Sequence, residues 1–429
     1  MAENIDDIQT FKLEVENELR ILVGEDSTDV TIKLVSGIAE IYGAEMVLNE
    51  EYSLSSNSSI SIFTWHGCVI KLSGTPEAVY IVSDTAMILN VVLHASLEER
   101  RLQAEAENKR GPVTLVVGPT DVGKSTLCRF LLNYAARLGR RPLFIDLDVG
   151  QNSISIPGTI GVLTVEKPAD IVSGFDDQAV QVYEFGYKSP GHNIILYFLL
   201  LKKLGQTLRS GLRQTNQNIR TSGVIINSCG WIRGHGYDAI TLVAMNFEID
   251  VLCVLEEERL YLQLQRDMPA CVKMIFIPKM DGVVERSRPL RNLTREARVR
   301  EYFYGSTNQL QPFTFEVNYS DIQVFKVVTR PVTDDDQYLA DVIPSDAKLE
   351  RVPLGYNLVD QVLGLSSTDT FKEDLMLMHV IGFICVTNID IARNTITVLS
   401  PQPSPLPKKI LLMGNTRFTE HRGVHFNRT

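Results

Sequence analysis

The nine residues Gly118-Pro119-Thr120-Asp121-Val122-Gly123-Lys124-Ser125-Thr126 constrain this chain more than any other stretch. They fit G-x-x-x-x-G-K-[ST] in full, follow the apolar run 113–117, and open a stretch without Gly or Pro that lasts to Leu138. Strand, glycine-rich turn and helix start, in that order, make a phosphate cradle. The glycines let backbone N–H groups wrap an anion, and the helix N-terminus adds its positive end. Lys124 is placed to reach the β- and γ-phosphates of a nucleotide, and the Ser125 hydroxyl to ligate magnesium.

The strand-like runs 113–117, 142–147, 224–227, 251–255 and 274–278 are separated by helical lengths. Runs of this kind, buried on both faces, predict an α/β fold with a central doubly wound parallel sheet, expected over residues 101–306. Upstream, residues 11–15, 30–34 and 60–63 alternate apolar with polar, and the turn signals Ser36-Gly37 and Ser73-Gly74 punctuate them. An amino-terminal β-sandwich over residues 1–100 is expected, with a connecting helix over 97–110. Beyond Gly305 the alternation of Phe313, Phe315, Val317 and Tyr319, with further runs at 382–386 and 395–399, predicts a strand-rich carboxy-terminal α/β domain over 307–429.

Two further segments carry chemistry. In Leu143-Phe144-Ile145-Asp146-Leu147-Asp148-Val149-Gly150-Gln151, two carboxylates alternate at the end of a strand expected beside the P-loop strand. One of Asp146 and Asp148 could then hold the metal's water shell while the other, near the γ-phosphate, accepts a proton from an attacking hydroxyl; the alternative is a pair of strand-end caps. Residues 286–300 contain six arginines and one acid. On a helix Arg291, Arg295 and Arg298 share a face, which suits a lid closing over a transferring phosphoryl; the alternative is a solvated charged helix. No N-K-x-D tetrapeptide occurs, which argues against guanine recognition.

Composition narrows the partners. With 52 acidic against 42 basic residues the net charge is -10, which excludes general coating of nucleic-acid backbones by a basic surface and leaves room only for a local basic site. Six scattered cysteines and seven histidines form no metal-binding spacing, so a transition-metal site built by the protein is not expected. The longest apolar run, 194–201, is far short of the roughly 20 residues that span a bilayer, and no membrane association is expected. The acidic residues 1–7 lack the basic start of a leader, so synthesis without secretion is expected.

Together with the strand Phe63-Thr64-Trp65-His66-Gly67-Cys68 and the segments Glu18-Leu19-Arg20, Ile156-Pro157-Gly158-Thr159, Gly282-Val283-Val284-Glu285-Arg286 and Arg300-Glu301-Tyr302-Phe303-Tyr304-Gly305, these motifs cover nearly the whole chain. The chain resembles the eukaryotic polynucleotide 5′-hydroxyl kinases that serve in the pre-mRNA 3′-end cleavage machinery and associate with the tRNA splicing endonuclease. The resemblance implies transfer of the γ-phosphate of ATP, with Mg2+, to the 5′-hydroxyl of single-stranded or duplex RNA. It implies Lys124, Asp148, Arg286, Arg291 and Arg295 as catalytic residues, residues 118 and 120–126 around the phosphates, and Glu18 at the adenine. Where some relatives have a basic residue near the base, this chain has Ser59. Ser228-Cys229-Gly230-Trp231 matches the family's RNA-end segment, which would let Trp231 stack on a terminal base and Gln151 touch the acceptor strand; read without the family, Trp231 is equally a core or interface residue. The resemblance also implies a nuclear protein, one copy per complex with cleavage-factor and splicing-endonuclease subunits. Its alternative is a catalytically silent scaffold that binds ATP, since some members transfer nothing.

Overall fold

The computed structural model describes residues 8–24, 27, 30–175, 180–280, 282–306, 308–332, 339–371 and 374–419. Residues 1–7, on which the leader expectation rests, lie outside them. Five strands run parallel in the spatial order Lys273–Ile277, Val251–Leu255, Val113–Val117, Val224–Asn227, Leu143–Asp146. All five residues of Val113–Val117 are buried, because successive side chains feed different cores. Val113, Leu115 and Val117 meet the helix Ile194–Gln214 and its neighbours on one face, and Val116 meets the P-loop helix Lys124–Arg137 on the other. The run of near-continuous apolar residues is thus accounted for by helices on both sides of the sheet.

Strand order differs from expectation in one respect that matters for the site. Leu143–Asp146 follows the P-loop strand in the chain but is not beside it, because Val224–Asn227 lies between them. Helical crossovers allow consecutive strands to skip a place, and nothing in the local sequence marks the skip.

The amino-terminal residues form a sandwich of a four-stranded and a five-stranded sheet, closed over Leu19, Ile21, Ile32, Leu34, Ile62 and Ile70. The first alternating run stops at Leu13 rather than Val15, and the chain turns through Glu16 at φ 61°. The sandwich is docked on the P-loop helix. Asn133 Nδ2 donates to the Tyr42 carbonyl at 2.8 Å, Arg137 pairs with Glu40 at 2.7 Å, and Phe63, Met87 and Phe130 close an apolar contact between them. The connecting helix runs Met87–Ala106, starting ten residues before the predicted 97, since Met87, Asn90, His94 and Leu97 all turn inward at helical spacing.

The carboxy-terminal strands continue the central sheet instead of standing apart from it. Thr159–Thr164 adds antiparallel to Leu143–Asp146 and Val180–Glu184 antiparallel to Thr159–Thr164, and Val180–Glu184 then pairs with His379–Asp390 through Val182 with Val380 and Tyr183 with His379. Among the described residues the result is one sheet of 14 strands. The seam is also held by backbone: Asn415 N donates to the Gly186 carbonyl at 2.6 Å, and a Cβ on Gly414 would lie 2.3 Å from Gly186 Cα. Among the described residues no helix is long and apolar enough to cross a membrane.

Glu184 is buried at this seam, where a Cβ on Gly364 would sit 3.3 Å from its Oε2, and burial pushes its carboxyl up to about 8. The native state therefore holds this proton more tightly than an unfolded chain, whose glutamates titrate near 4.5. The stabilisation is complete below about pH 4.5 and is lost as pH rises toward 8. Glu184→Gln is expected to leave the melting temperature nearly unchanged at pH 5 and to raise it at pH 8. An equal effect at both pH values would contradict this linkage.

Candidate active site

The P-loop turn is built on backbone conformations that only glycine enters without strain. Gly123 has φ 96°, and a Cβ there would lie 2.5 Å from the Met280 side chain, so the loop is closed from below by the segment leading into the lid. Gly118 is buried, Val122 is buried beneath the turn, and Thr120 and Ser125 are exposed at its mouth. Lys124 is buried; its Nζ donates to the Pro119 carbonyl at 2.5 Å, and burial lowers its pKa while the charge of Asp148 raises it. A phosphate oxygen in the cradle is a stronger, charged acceptor than that carbonyl.

Asp121, at φ 57°, does something the motif alone does not indicate. Its carboxylate turns away from the cradle and takes Arg291 at 2.5 Å, Arg286 Nε at 3.4 Å and the Arg286 backbone N–H at 3.1 Å. Burial works to raise its pKa, but the hydrogen bonds and charges of these two arginines outweigh it and hold the carboxyl below its usual range. The P-loop thus carries the lid directly.

That lid is the helix Arg288–Tyr304, started by Ser287, whose Oγ accepts from Leu290 N, and by Pro289 in its first turn. The predicted face is realised. Arg291 reaches Asp121, Arg295 Nε donates to the Gly150 carbonyl at 3.0 Å, and Arg298 reaches the Ser153 carbonyl at 3.4 Å. All three are half-buried against the P-loop and the turn after Asp146, while Arg288 is exposed.

The two aspartates, expected side by side, occupy different environments. Asp146 is fully buried: Oδ2 accepts from Ser153 N at 2.8 Å and Ser153 Oγ at 2.5 Å, and Oδ1 from Asn227 Nδ2 at 2.9 Å and Asp148 N at 3.1 Å. Burial, then the charge of Asp148, raises its carboxyl to about 6 against the pull of those donors. Asp148 is only part-buried. Its Oδ1 accepts from Gly150 N at 2.8 Å and Gln151 N at 3.0 Å, which fixes the side chain and leaves Oδ2 without a hydrogen bond among the described residues. The charge of Asp148 acts on Lys124, Arg295 and Cys229, so it sits among the groups that would surround a transferring phosphate. As strand-end caps the pair is half right, since each does accept nearby backbone N–H groups.

The segment matching the RNA-end motif is brought to the same place. A Cβ on Gly230 would lie 2.7 Å from Thr120 N, so the chain after Val224–Asn227 lies directly on the P-loop. Trp231 is half-exposed there, edge-on to His235 at 6.5 Å, rather than in a core. Gln151 is half-buried, with Oε1 unpartnered among the described residues. Glu18 lines a cleft between the sandwich and the P-loop helix together with Thr126, Phe130 and Met280. Its Oε1 accepts from Arg20 Nε at 2.9 Å and from Ser61 Oγ. Ser59 takes no part in that cleft; its Oγ donates to the Gly282 carbonyl at 3.2 Å, and Arg20 supplies the cation beside Glu18.

Two residues here were not singled out from sequence. Lys188 lies beside Arg295, its pKa lowered by burial and then by that charge, and Asn227 bridges Ser125 and Asp146. Asn227 had a signal, a lone polar residue ending the apolar strand Val224–Asn227; Lys188 had none. The Ser125 hydroxyl, the Asp146 carboxylate and the orphaned Asn227 Oδ1 are hard oxygen donors of the kind magnesium takes.

Three family models match in succession: an N-terminal beta-sandwich domain of polyadenylation factor at residues 12–104, the mRNA cleavage and polyadenylation factor CLP1 P-loop at 118–305, and Pre-mRNA cleavage complex II protein Clp1 at 310–420. The polyribonucleotide 5′-hydroxyl-kinase Clp1 of Gallus gallus is 45% identical over 415 residues, covering 96% of this chain and 97% of that one. The chain belongs to the Clp1 family. The Homo sapiens protein of the same name is 45% identical over 412 residues, with 96% of each chain covered. A solved structure of Clp1p with Pcf11p superposes at a TM-score of 0.83 and 21% identity over 96% of this chain and 99% of that one. The Clp1 fold is therefore shared along the whole length described.

Asp121→Asn keeps the size of the side chain but removes the charge that anchors Arg286 and Arg291. Trypsin, in the absence of nucleotide, is expected to cut at Arg286 and Arg291 several-fold faster in this variant than in the parent. Unchanged cleavage at those sites would show that the lid is held elsewhere.

Proposed function

We propose that the protein transfers the γ-phosphate of ATP to the 5′-hydroxyl end of RNA. The observation that carries this reading is Asp148, fixed through Oδ1 with Oδ2 open, in the electrostatic reach of Lys124 and Arg295. Relatives at 45% identity that bear the name polyribonucleotide 5′-hydroxyl-kinase support it.

The base of ATP fits the cleft of Glu18 and Arg20, and its phosphates fit the N–H groups of residues 118 and 120–126. Trp231 and Gln151 then hold the terminal nucleotide of single-stranded or duplex RNA next to the P-loop. The RNA 5′-oxygen attacks phosphorus in line and its proton passes to Asp148 Oδ2; the bond between the γ-phosphorus and the bridging oxygen breaks, and ADP leaves. Lys124 and the arginines 286, 291 and 295 neutralise the charge on the moving group, which requires Arg286 and Arg291 to exchange Asp121 for phosphate. Ser125 and Asp146 would hold Mg2+, which when bound would supply further neutralisation of phosphate charge.

The second reading is an ATP-bound scaffold in mRNA 3′-end processing. Two observations favour it: Lys124, Arg286 and Arg291 already donate to acceptors within the protein, and two solved structures of like fold are complexes of Clp1p with Pcf11p. Under either reading the protein works as one copy in a nuclear hetero-complex with cleavage-factor subunits, and under the first also with subunits of the tRNA splicing endonuclease.

Incubation with γ-labelled ATP and 5′-hydroxyl RNA separates the two. The parent is expected to label the RNA, Lys124→Ala and Asp148→Ala to label none, and Arg295→Ala to lose a factor on the order of 10³. Tight ATP binding without labelled RNA in the parent would establish the scaffold instead.

A further inference from the structure

Asn227 is the last residue of the strand that separates the P-loop strand from the strand of the two aspartates, and it is in register with Val116 on one side and Asp146 on the other. The three residues before it, Val224, Ile225 and Ile226, are apolar and buried. Its side chain is fully buried and donates from one nitrogen to two acceptors: Asp146 Oδ1 at 2.9 Å and Ser125 Oγ at 3.3 Å. Its side-chain carbonyl oxygen is buried with no partner among the described residues. Buried polar atoms without partners are few in native proteins, and each calls for a reason.

Chemistry decides which end of the amide faces which neighbour. Only a donor can sit beside the Asp146 carboxylate, so Nδ2 must point there and Oδ1 is left as an acceptor. A carboxylate at the same position would have no proton to give Asp146 and would repel it. The strand order therefore places a neutral spacer between the hydroxyl and the acid that would hold the cation, and the acid stands one strand further out.

We infer that Asn227 is a positioning residue of the divalent-cation site, spacing the Ser125 hydroxyl from Asp146 and offering Oδ1 as an acceptor to the cation's bound water. This rests on the reading above that the site takes ATP with Mg2+, but not on RNA being phosphorylated. Groups that orient metal ligands from behind typically change metal affinity by roughly 10- to 100-fold when lost.

The test is the factor by which Mg2+ tightens binding of a fluorescent ATP analogue, measured on the full chain with Mg2+ and with EDTA. Asn227→Ala is expected to reduce that factor about tenfold while leaving the EDTA affinity unchanged, and the similarly sized Asn227→Leu, which offers no acceptor, to do the same. A merely structural role would lower the melting temperature and leave the factor alone. Retention of the parent's factor within about twofold by a folded Asn227→Ala overturns the inference, and where that variant does not fold, the same result in Asn227→Leu overturns it. A parent whose ATP affinity is indifferent to Mg2+ would sink the underlying reading as well.

Discussion

Burial of a parallel sheet on both faces is the constraint from which the rest follows. Val113–Val117 and its neighbours leave no room for charge along their length, so polar groups collect where the strands end. Asp146 and Asn227 end two strands, and the P-loop and the Gly230 turn follow two. The site is a by-product of where a two-sided core must stop, which is why the P-loop and the turns after Asp146 and Asn227 converge there.

How far this was legible depends on whether the signal was local. Glycines at 118 and 123, a lysine and a hydroxyl in fixed spacing carry their geometry with them, and the strands at 113–117, 224–227 and 251–255 appear with the predicted bounds. The arginine face was readable because helical spacing is local too. Strand order was not, and that is why Asn227 escaped notice: its importance lies in what stands on either side of it, Ser125 at a distance of 102 residues and Asp146 at 81. Asp121 escaped differently. Its motif position suggests phosphate, whereas its left-handed backbone aims the carboxylate at the lid.

The charge balance also takes on a different meaning in three dimensions. Arg291, Arg295 and Arg298 of the lid helix lie against Asp121 and the carbonyls of Gly150 and Ser153, so these three do not form an open basic surface. A molecule with net charge -10 can hold a concentrated positive site provided the positive groups are kept occupied until a phosphate arrives. Free arginines at the same positions would attract any polyanion.

The continuity of the 14-stranded sheet has a cost for partial chains. Val180–Glu184 is an inner strand only because His379–Asp390 lies beside it. A product that ended before the carboxy-terminal strands would expose that ladder as a bare edge, with Val182 and Tyr183 uncovered, and bare edges of this kind pair with other chains. Proteolysis or premature termination anywhere between the lid and residue 379 thus yields a sticky fragment instead of a smaller working domain.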